Sequence, residues 1–186
     1  GNTARAAFDH RKFPKQFRRS TIDLDDQFFK RVLPDILAHS PELGPVEGAE
    51  GPDLLPAFLK VNGELRRLNA EKIASFAGQS APELLWKGVV FHPFTNTAVE
   101  SAFADRRTYI YQGKEVDQQT HLGFDLASFA GTPIVSANPG RVVFAGKLGI
   151  YGNTVIVDHG MGVQSLYGHL SSIGVAVDAV VDKGQE

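Results

Sequence analysis

Residues 153–170 read NTVIVDHGMGVQSLYGHL, and this stretch decides the fold class of the chain. Its first six residues are rich in β-branched side chains, which is typical of a strand. Gly160 and Gly162 then mark a turn, and residues 163–170 form a second strand-like run. Two such runs joined by a short turn predict a β-hairpin, which favours antiparallel sheet over alternating β-α units.

The same pattern extends upstream of the hairpin. Short strands are predicted at residues 134–136 and 141–144, on either side of the turn-forming sequence NPG at 138–140. Of the 19 glycines, 13 fall within residues 86–186. We therefore expect residues 86–186 to be a mostly antiparallel β domain, and the whole chain to be α+β.

The preceding region, residues 21–85, has helical rather than strand periodicity. A first amphipathic helix is predicted to begin at Asp23 as its N-cap and to be kinked or split at Pro34. A second helix is predicted from about Asp53, with Gly78 as its C-terminal stop. The apolar stripes of these helices indicate packing faces and carry no chemistry of their own.

The first 20 residues form a separate basic segment that we predict to be β-like. Residues 1–19 carry six Lys or Arg against Asp9 alone, although the chain has a net charge of −2. Their spacing lacks the density of a nucleic-acid patch, so no nucleic-acid partner is predicted. The segment beginning GNTA also resembles the final strand of a bacterial immunoglobulin-like module.

Composition limits the kinds of site that the chain can build. It has no cysteine, so disulfides and Cys-ligated metals are excluded and any metal must use His and carboxylates. No apolar run approaches the roughly 18 residues of a membrane span. Walker-type phosphate loops, nucleophile elbows and dinucleotide fingerprints are also missing from the sequence.

His121 and Asp125 are the candidate metal pair. On a straight strand, side chains four residues apart are separated by about 13 Å, too far to share one ion. A shared ion therefore demands a bent segment, and Gly123 offers a permissive backbone for such a bend. Spacing alone leaves the pair ambiguous between a metal site and a chance occurrence.

Three further histidines are candidates for a role at such a site. In a strand, His169 would share a polar face with Tyr167 and could approach a metal-bound water; the alternative is a core or rim histidine satisfied by the backbone. His159, at a strand end, and His92, before Pro93, are minority candidates for a further ligand.

Two arginines suggest recognition of a carboxylate. Arg106 and Arg107, beside Tyr109, could bind a substrate carboxylate bidentately. An equally good interpretation is a salt-bridging pair on the surface.

Taken in order and spacing, several segments resemble the lysostaphin-type (LytM-like) zinc endopeptidases. The upstream segment SAFADRR (101–107) is similar to the Ser-x-Phe-Gly-x-Arg entry of that family, with Ala104 where glycine is usual. The other segments that carry the resemblance are HLGFDLA (121–127), GTPIVSA (131–137), GRVV (140–143), GNTVIVDHG (152–160) and LYGHLS (166–171).

The resemblance implies a function and a set of roles. His121 and Asp125 would be ligands of one zinc ion, and His169 would be catalytic. The third ligand of the family lies in a His-x-His segment, which we expect beyond Glu186, with the chain cut inside its catalytic domain. The implied substrate is the peptide cross-link of bacterial peptidoglycan, in a periplasmic or extracellular setting. His159 matches a position that is not a ligand.

Two alternatives remain open. Some LytM-like domains have lost zinc ligands and activate other cell-wall hydrolases, so a catalytically inactive regulatory module is possible. A latent enzyme is the other alternative, in which residues 21–85 or the loop at 92–100 cover the site and Asn96 lends an oxygen to the metal. Oligomeric state is not predicted.

Overall fold

A computed structural model describes residues 16–86, 88–92 and 94–186 of the chain. Within these residues the helices lie in the first half, and all strands except the first lie in the second half. The helices are α1 (Asp26–Ala38), α2 (Leu55–Lys60) and α3 (Arg66–Ala77). The strands are β1 (Arg19–Leu24), β2 (Ala98–Ser101), β3 (Arg106–Tyr111), β4 (Lys114–Thr120), β5 (Asp125–Ala127), β6 (Gly140–Lys147), β7 (Asn153–Asp158), β8 (Gln164–Tyr167) and β9 (Val180–Val181).

The N-terminal part of the described chain differs from the prediction. Residues 1–15 of the basic segment, including the immunoglobulin-like resemblance, lie outside the described residues. The segment that follows does form a strand, β1, but it extends to Leu24. Asp23 is therefore part of a strand, and Asp25 caps α1 instead by accepting a 2.6 Å hydrogen bond from the Phe28 N–H.

Helix α1 continues through Pro34, so of the two predicted outcomes, a kink or a split, the split does not occur. Proline removes one backbone donor, but Phe29 and Leu33 on the same helix are buried at 0% and 2% exposure. Their packing holds the helix against the first sheet in spite of the lost hydrogen bond.

The second helical segment runs without interruption from Leu55 to Ala77. Helices α2 and α3 are joined by a π-helical turn, Val61–Leu65. Asp53, the predicted start, lies just outside and accepts a hydrogen bond from the Leu55 N–H. Gly78 is the C-cap, as predicted, with its N–H directed to the Ala74 carbonyl.

The first sheet has the order β1-β3-β4, with β1 parallel and β4 antiparallel to β3. Gln112 and Gly113, with φ of 50° and 74°, make the tight turn between β3 and β4. The inner face of this sheet packs on the helices around Phe29, Phe58 and Tyr109. The side chains between this sheet and the helices form the larger of the two hydrophobic cores in the structure.

The second sheet has the order β8-β7-β6-β9, and every described pairing in it is antiparallel. Its core contains Val142, Val155, Val157 and Val181. The hairpin predicted at 153–170 is present, with β7 on the predicted residues and β8 shorter than expected. The fold is α+β and mostly antiparallel, as the sequence indicated.

A third, two-stranded sheet pairs β2 with β5 antiparallel. Residues 134–136, predicted as a strand, have no regular structure. The N–H of Ser136 donates to the Gln185 carbonyl and its own carbonyl accepts from the Gly184 N–H, so this segment bonds to a turn rather than to a sheet.

Two buried asparagines join the helices to the β structure. Asn62 Nδ2 donates to Asp117 Oδ2 on β4 over 2.6 Å. Asn69, at 1% exposure, accepts a hydrogen bond from the Ile150 N–H through Oδ1. A Cβ on Gly149 would lie 2.3 Å from that same oxygen, so only glycine fits there. The helical region is therefore joined both to β4 and to the turn that precedes β7.

Candidate functional site

Strand β4 delivers His121 to the site one residue after it ends. The His121 N–H donates to the Asp105 carbonyl over 2.9 Å, and the His121 carbonyl accepts from the Ala104 N–H over 2.7 Å. Two backbone hydrogen bonds to the turn before β3 thus fix the position of the imidazole.

Residues 121–124 form a bend, and β5 begins at Asp125, which pairs with Ser101 on β2. As a result, His121 Nε2 lies 3.3 Å from Asp125 Oδ1. A straight strand would hold the two side chains about 13 Å apart. The structure therefore brings together the two residues that the sequence singled out as a metal pair.

Gly123 does not produce this bend by an unusual backbone conformation. Its φ lies outside the left-handed region, and an added Cβ would meet only His121 Nε2, at 3.9 Å. The predicted role of Gly123 as a permissive hinge was wrong, because the bend is held by the backbone bonds of His121 and by the β2–β5 pairing.

His121 Nε2 is buried and has no hydrogen-bond partner among the described residues, although Asp125 Oδ1 is 3.3 Å away. The two atoms approach each other without hydrogen-bond alignment. Burial, aided by the Arg107 cation and opposed by Asp125, holds the pKa of His121 below its usual value. The imidazole is therefore neutral at pH 7, the form in which histidine ligates metals.

These two atoms fit a zinc ion. With the imidazole proton on Nδ1, Nε2 and Asp125 Oδ1 are both acceptors facing each other, an arrangement that a cation between them would stabilise. Two ligands 2.0–2.1 Å from a tetrahedral zinc lie roughly 3.3–3.4 Å apart, which matches the separation in the structure. Among the described residues, no group of three His, Asp or Glu is placed to hold a metal.

Arg107 restrains the carboxylate of the pair. Its guanidinium lies 3.2 Å from Asp125 Oδ2, donates to Ser101 Oγ over 2.6 Å and lies 3.7 Å from Asp105 Oδ2. Asp105 is buried at 2% exposure and also accepts from Ser20 Oγ. The arginine therefore engages Oδ2 of Asp125 and leaves Oδ1 directed at His121.

Sequence reasoning did not find this supporting network. Ser20 lies far along the chain from Ser101, Asp105 and Arg107, which all belong to the segment SAFADRR, and that segment carried a signal only through the family resemblance. That signal marked the segment but not the direction in which each side chain points.

Ala104 occupies a left-handed conformation, with φ of 62°. This explains why glycine is usual at that position in the resembling family, since a Cβ there is strained by about 1–2 kcal/mol. Replacing Ala104 by glycine should raise the free energy of unfolding by about 0.5–1 kcal/mol, because the relieved strain exceeds the added chain entropy.

Urea unfolding measures this effect, and Ala102→Gly is the matched control. Ala102 has no positive φ, so its replacement should lower the stability instead. Equal losses in the two variants would contradict the strain at Ala104.

His169 lies beyond the strand on which it was predicted. Strand β8 ends at Tyr167, and His169 follows in a bend with φ of 57° and an exposed side chain. Its N–H donates to the Tyr151 carbonyl over 2.7 Å, and the next residue, Leu170, donates to the Asn153 carbonyl. The backbone around His169 is thus anchored to β7 and to the turn that precedes it.

The structure also places His159 and His92, the two other histidines considered as ligands. His159 is fully buried, with Nδ1 donating to the Pro139 carbonyl and Nε2 2.7 Å from Ser165 Oγ. Both of its nitrogens are engaged, so it has no lone pair free for a metal. His92 is exposed, and so is Asn96.

The predicted carboxylate-binding residues point in different directions. Arg107 faces the metal pair, whereas Arg106 is exposed on the opposite face of the first sheet. Tyr109 is 6% exposed and its ring packs on Phe58 in the larger core. Only Arg106 is free to meet a ligand from solvent.

Comparison with known proteins points to the same part of the chain. Residues 119–186, which contain His121, Asp125 and His169, match the sequence profile of Peptidase family M23. These residues belong to peptidase family M23. The matched stretch is called the M23 segment below.

Individual proteins are also similar to this chain, and one of these similarities extends beyond the M23 segment. The DD-carboxypeptidase/endopeptidase Mpg of Neisseria meningitidis is 35% identical over 89 residues, 48% of this chain and 20% of that protein. The murein hydrolase activator EnvC of Escherichia coli is 40% identical over 63 residues, 34% of this chain and 15% of that protein. The chain therefore spans about a fifth or less of either relative.

A solved structure resembles a larger part of the fold. A putative peptidase M23 from Pseudomonas aeruginosa superposes with a TM-score of 0.50 and 30% identity, covering 68% of this chain and 47% of the other. Since 68% exceeds the share taken by the M23 segment, the similarity includes residues before it.

Proposed function

We propose that the protein is a zinc-dependent endopeptidase that cleaves the peptide cross-links of bacterial peptidoglycan in the cell envelope. One observation carries the proposal: the buried, unpartnered Nε2 of His121 faces Asp125 Oδ1 at 3.3 Å within the M23 segment. The endopeptidase named among its relatives supports the reaction class.

His121 and Asp125 would hold the zinc ion through Nε2 and Oδ1. Bound there, zinc would supply Lewis-acid chemistry, activating water as a nucleophile near neutral pH and polarising the scissile carbonyl. Arg107 keeps the carboxylate of Asp125 oriented, as outer-shell partners of metal ligands do. The low pKa of His121 keeps its imidazole neutral and available at the pH of the reaction.

His169 is proposed as the group that moves the proton. Its exposed imidazole can take a proton from the attacking water and return it to the leaving amine. The His169 N–H donates a hydrogen bond to the Tyr151 carbonyl, and this bond fixes the backbone from which the ring extends. A positioned general base of this kind contributes roughly 10²–10⁴-fold to the rate.

Digestion of purified peptidoglycan tests this function. The protein, as encoded by its gene, should release new amino termini with zinc present, lose this activity on chelation and regain it when zinc is restored. His169→Ala should cut at least about 100-fold more slowly. The control is His39→Ala, since His39 caps α1 with an exposed side chain and should have no effect.

The second candidate function is a regulator of other wall hydrolases, favoured by the match to the activator EnvC. A protein that leaves peptidoglycan uncut at every zinc concentration, but accelerates a separate wall amidase, would support the regulator and contradict the enzyme. Equal cleavage by wild type and His169→Ala would remove His169 from catalysis and leave the metal site untouched.

Among the residues that the structure describes, none of the helices has the length and apolar character needed to span a lipid bilayer.

A further inference from the structure

The outer face of the first sheet has the composition of a binding surface. Strands β1, β3 and β4 bury alternate side chains against the helices and turn the others to solvent. The outward side chains nearest to the site are Arg19, Thr21, Arg106, Thr108, Gln118 and Thr120. All of them are polar, and they form a surface of hydrogen-bonding groups.

The two arginines in this set lie side by side. Arg19 of β1 is the direct parallel partner of Arg106 on β3, so both guanidinium groups extend from the same row of the sheet. Like charges in direct cross-strand register are destabilising. Neither side chain has an ion pair with another described residue. An anion held between them would relieve the repulsion.

The acidic residues on this face are too distant to do so. Asp23 and Glu115 both lie in register with Ile110, four residues along β3 from Arg106. At about 3.3 Å per residue this is a separation of about 13 Å, more than a Debye length at physiological ionic strength. Glu115 is moreover engaged by Gln118 Nε2 over 2.7 Å.

Two surface depressions meet at Arg106. One, of about 590 Å³, is lined by Arg19, Arg106 and residues 16–17. The other, of about 500 Å³, runs from Arg106 across Thr120 to Leu122. Leu122 directly follows His121 in the chain, so this second depression leads from the arginine pair towards the metal pair.

We propose that Arg19 and Arg106 form a carboxylate-binding site for peptidoglycan, which holds an acidic group of the polymer while the neighbouring peptide reaches His121 and Asp125. This inference rests on the proposed function and names the part of the substrate that is recognised away from the reacting bond. Arginine suits this role because its planar fork binds a carboxylate bidentately. The hydroxyls of Thr108 and Thr120 add neutral donors along the groove.

The ligand is a carboxylate-bearing polymer rather than a nucleic acid. The face has two arginines near the site and two acidic residues, Asp23 and Glu115, at its far end, and the chain as a whole has a net charge of −2. Nucleic-acid surfaces instead use several Lys or Arg in a continuous patch to neutralise successive phosphates.

Binding to purified peptidoglycan, measured by co-sedimentation, tests the site. The protein is kept in chelator during this assay so that the polymer is not cut. Arg106→Gln and Arg19→Gln should each weaken binding about tenfold or more, as expected for loss of a charge-assisted hydrogen bond. Peptidoglycan whose carboxylates have been amidated by carbodiimide chemistry should bind the wild type as weakly as the variants bind native polymer.

The control is Arg67→Gln, which removes an exposed arginine of α3 that pairs with Glu71 at 2.6 Å. It should bind as wild type does. Unchanged binding by Arg106→Gln, equal binding to amidated polymer, or an equal loss in Arg67→Gln would each overturn the proposal. A separate assay measures cleavage of a short, uncharged cross-link peptide with zinc present. Absence of cleavage by the wild type in that assay would count against the proposed function rather than against the arginine site.

Discussion

Replacing His121 by alanine should abolish tight zinc binding. The Nε2 of His121 is one of the two donors that the structure directs at a common point, 3.3 Å from Asp125 Oδ1. Loss of an outer-shell partner already weakens metal affinity by roughly 10–100-fold, so loss of a ligand should exceed that range. Competition with a chromogenic chelator measures the zinc affinity of the variant and of the wild type directly.

The matched control is His92→Ala, which removes an exposed histidine that was considered as a ligand and that does not join His121 and Asp125 in a metal cluster. Its zinc affinity should equal that of the wild type. If His121→Ala retained stoichiometric zinc while His92→Ala lost it, His92 rather than His121 would be the zinc ligand.

The second large effect is expected on stability, at Asp158. This carboxylate is 4% exposed and ties residues 80–81 to the β7–β8 hairpin. Oδ1 accepts from Ser80 Oγ over 2.5 Å and from the Gly160 N–H over 3.1 Å, while Oδ2 accepts from the Ala81 N–H over 3.0 Å. Asp158→Ala leaves these donors without their acceptor and should lower the free energy of unfolding by about 3–5 kcal/mol.

The close packing around Gly160 makes this loss hard to repair. Gly160 has φ of 86°, and a Cβ there would lie 1.7 Å from the Glu83 carbonyl oxygen. The backbone bonds Leu85 N–H to His159 O and Met161 N–H to Ala81 O hold the two segments together. Water could reach the donors that lose their acceptor only if residues 80–85 moved away from the hairpin, and that movement would break these backbone hydrogen bonds.

Chemical denaturation of both proteins measures the difference, and Asp182→Ala is the control. Asp182 is exposed and its carboxylate makes no hydrogen bond with the described residues, so its replacement should stay within about 0.5 kcal/mol. A loss below about 1 kcal/mol for Asp158→Ala would show that the carboxylate contributes little to joining the helical region to the hairpin.

Local sequence patterns predicted strands β6, β7 and β8 of the second sheet, because the pairings among these three join neighbouring segments of the chain. Strand β7 lies on its predicted residues, and β6 includes the run predicted at 141–144. Strand β1 was assigned partly to a basic segment and partly to a helix, because its partner β3 lies 87 positions away and leaves no trace in the local pattern. The run at 134–136 was predicted as a strand from its β-branched residues, but it pairs with a turn near Gln185 instead.

The candidate site shows the same division between local and non-local information. The spacing of His121 and Asp125 suggested a shared ion only on condition that the chain bends, and the sequence attributed the bend to Gly123. In the structure the bend depends on hydrogen bonds to Asp105 and Ala104, and on the pairing of Asp125 with Ser101. None of these contacts can be read from the sequence, because they join segments that are distant along the chain.

The central claim is that one zinc ion is bound jointly by His121 and Asp125, and anomalous X-ray diffraction at the zinc absorption edge tests it most directly. Crystals of the zinc-loaded protein should show a single strong anomalous peak within bonding distance of His121 Nε2 and Asp125 Oδ1. A peak at another histidine, or a structure in which these two side chains point away from each other with no metal between them, would contradict the account.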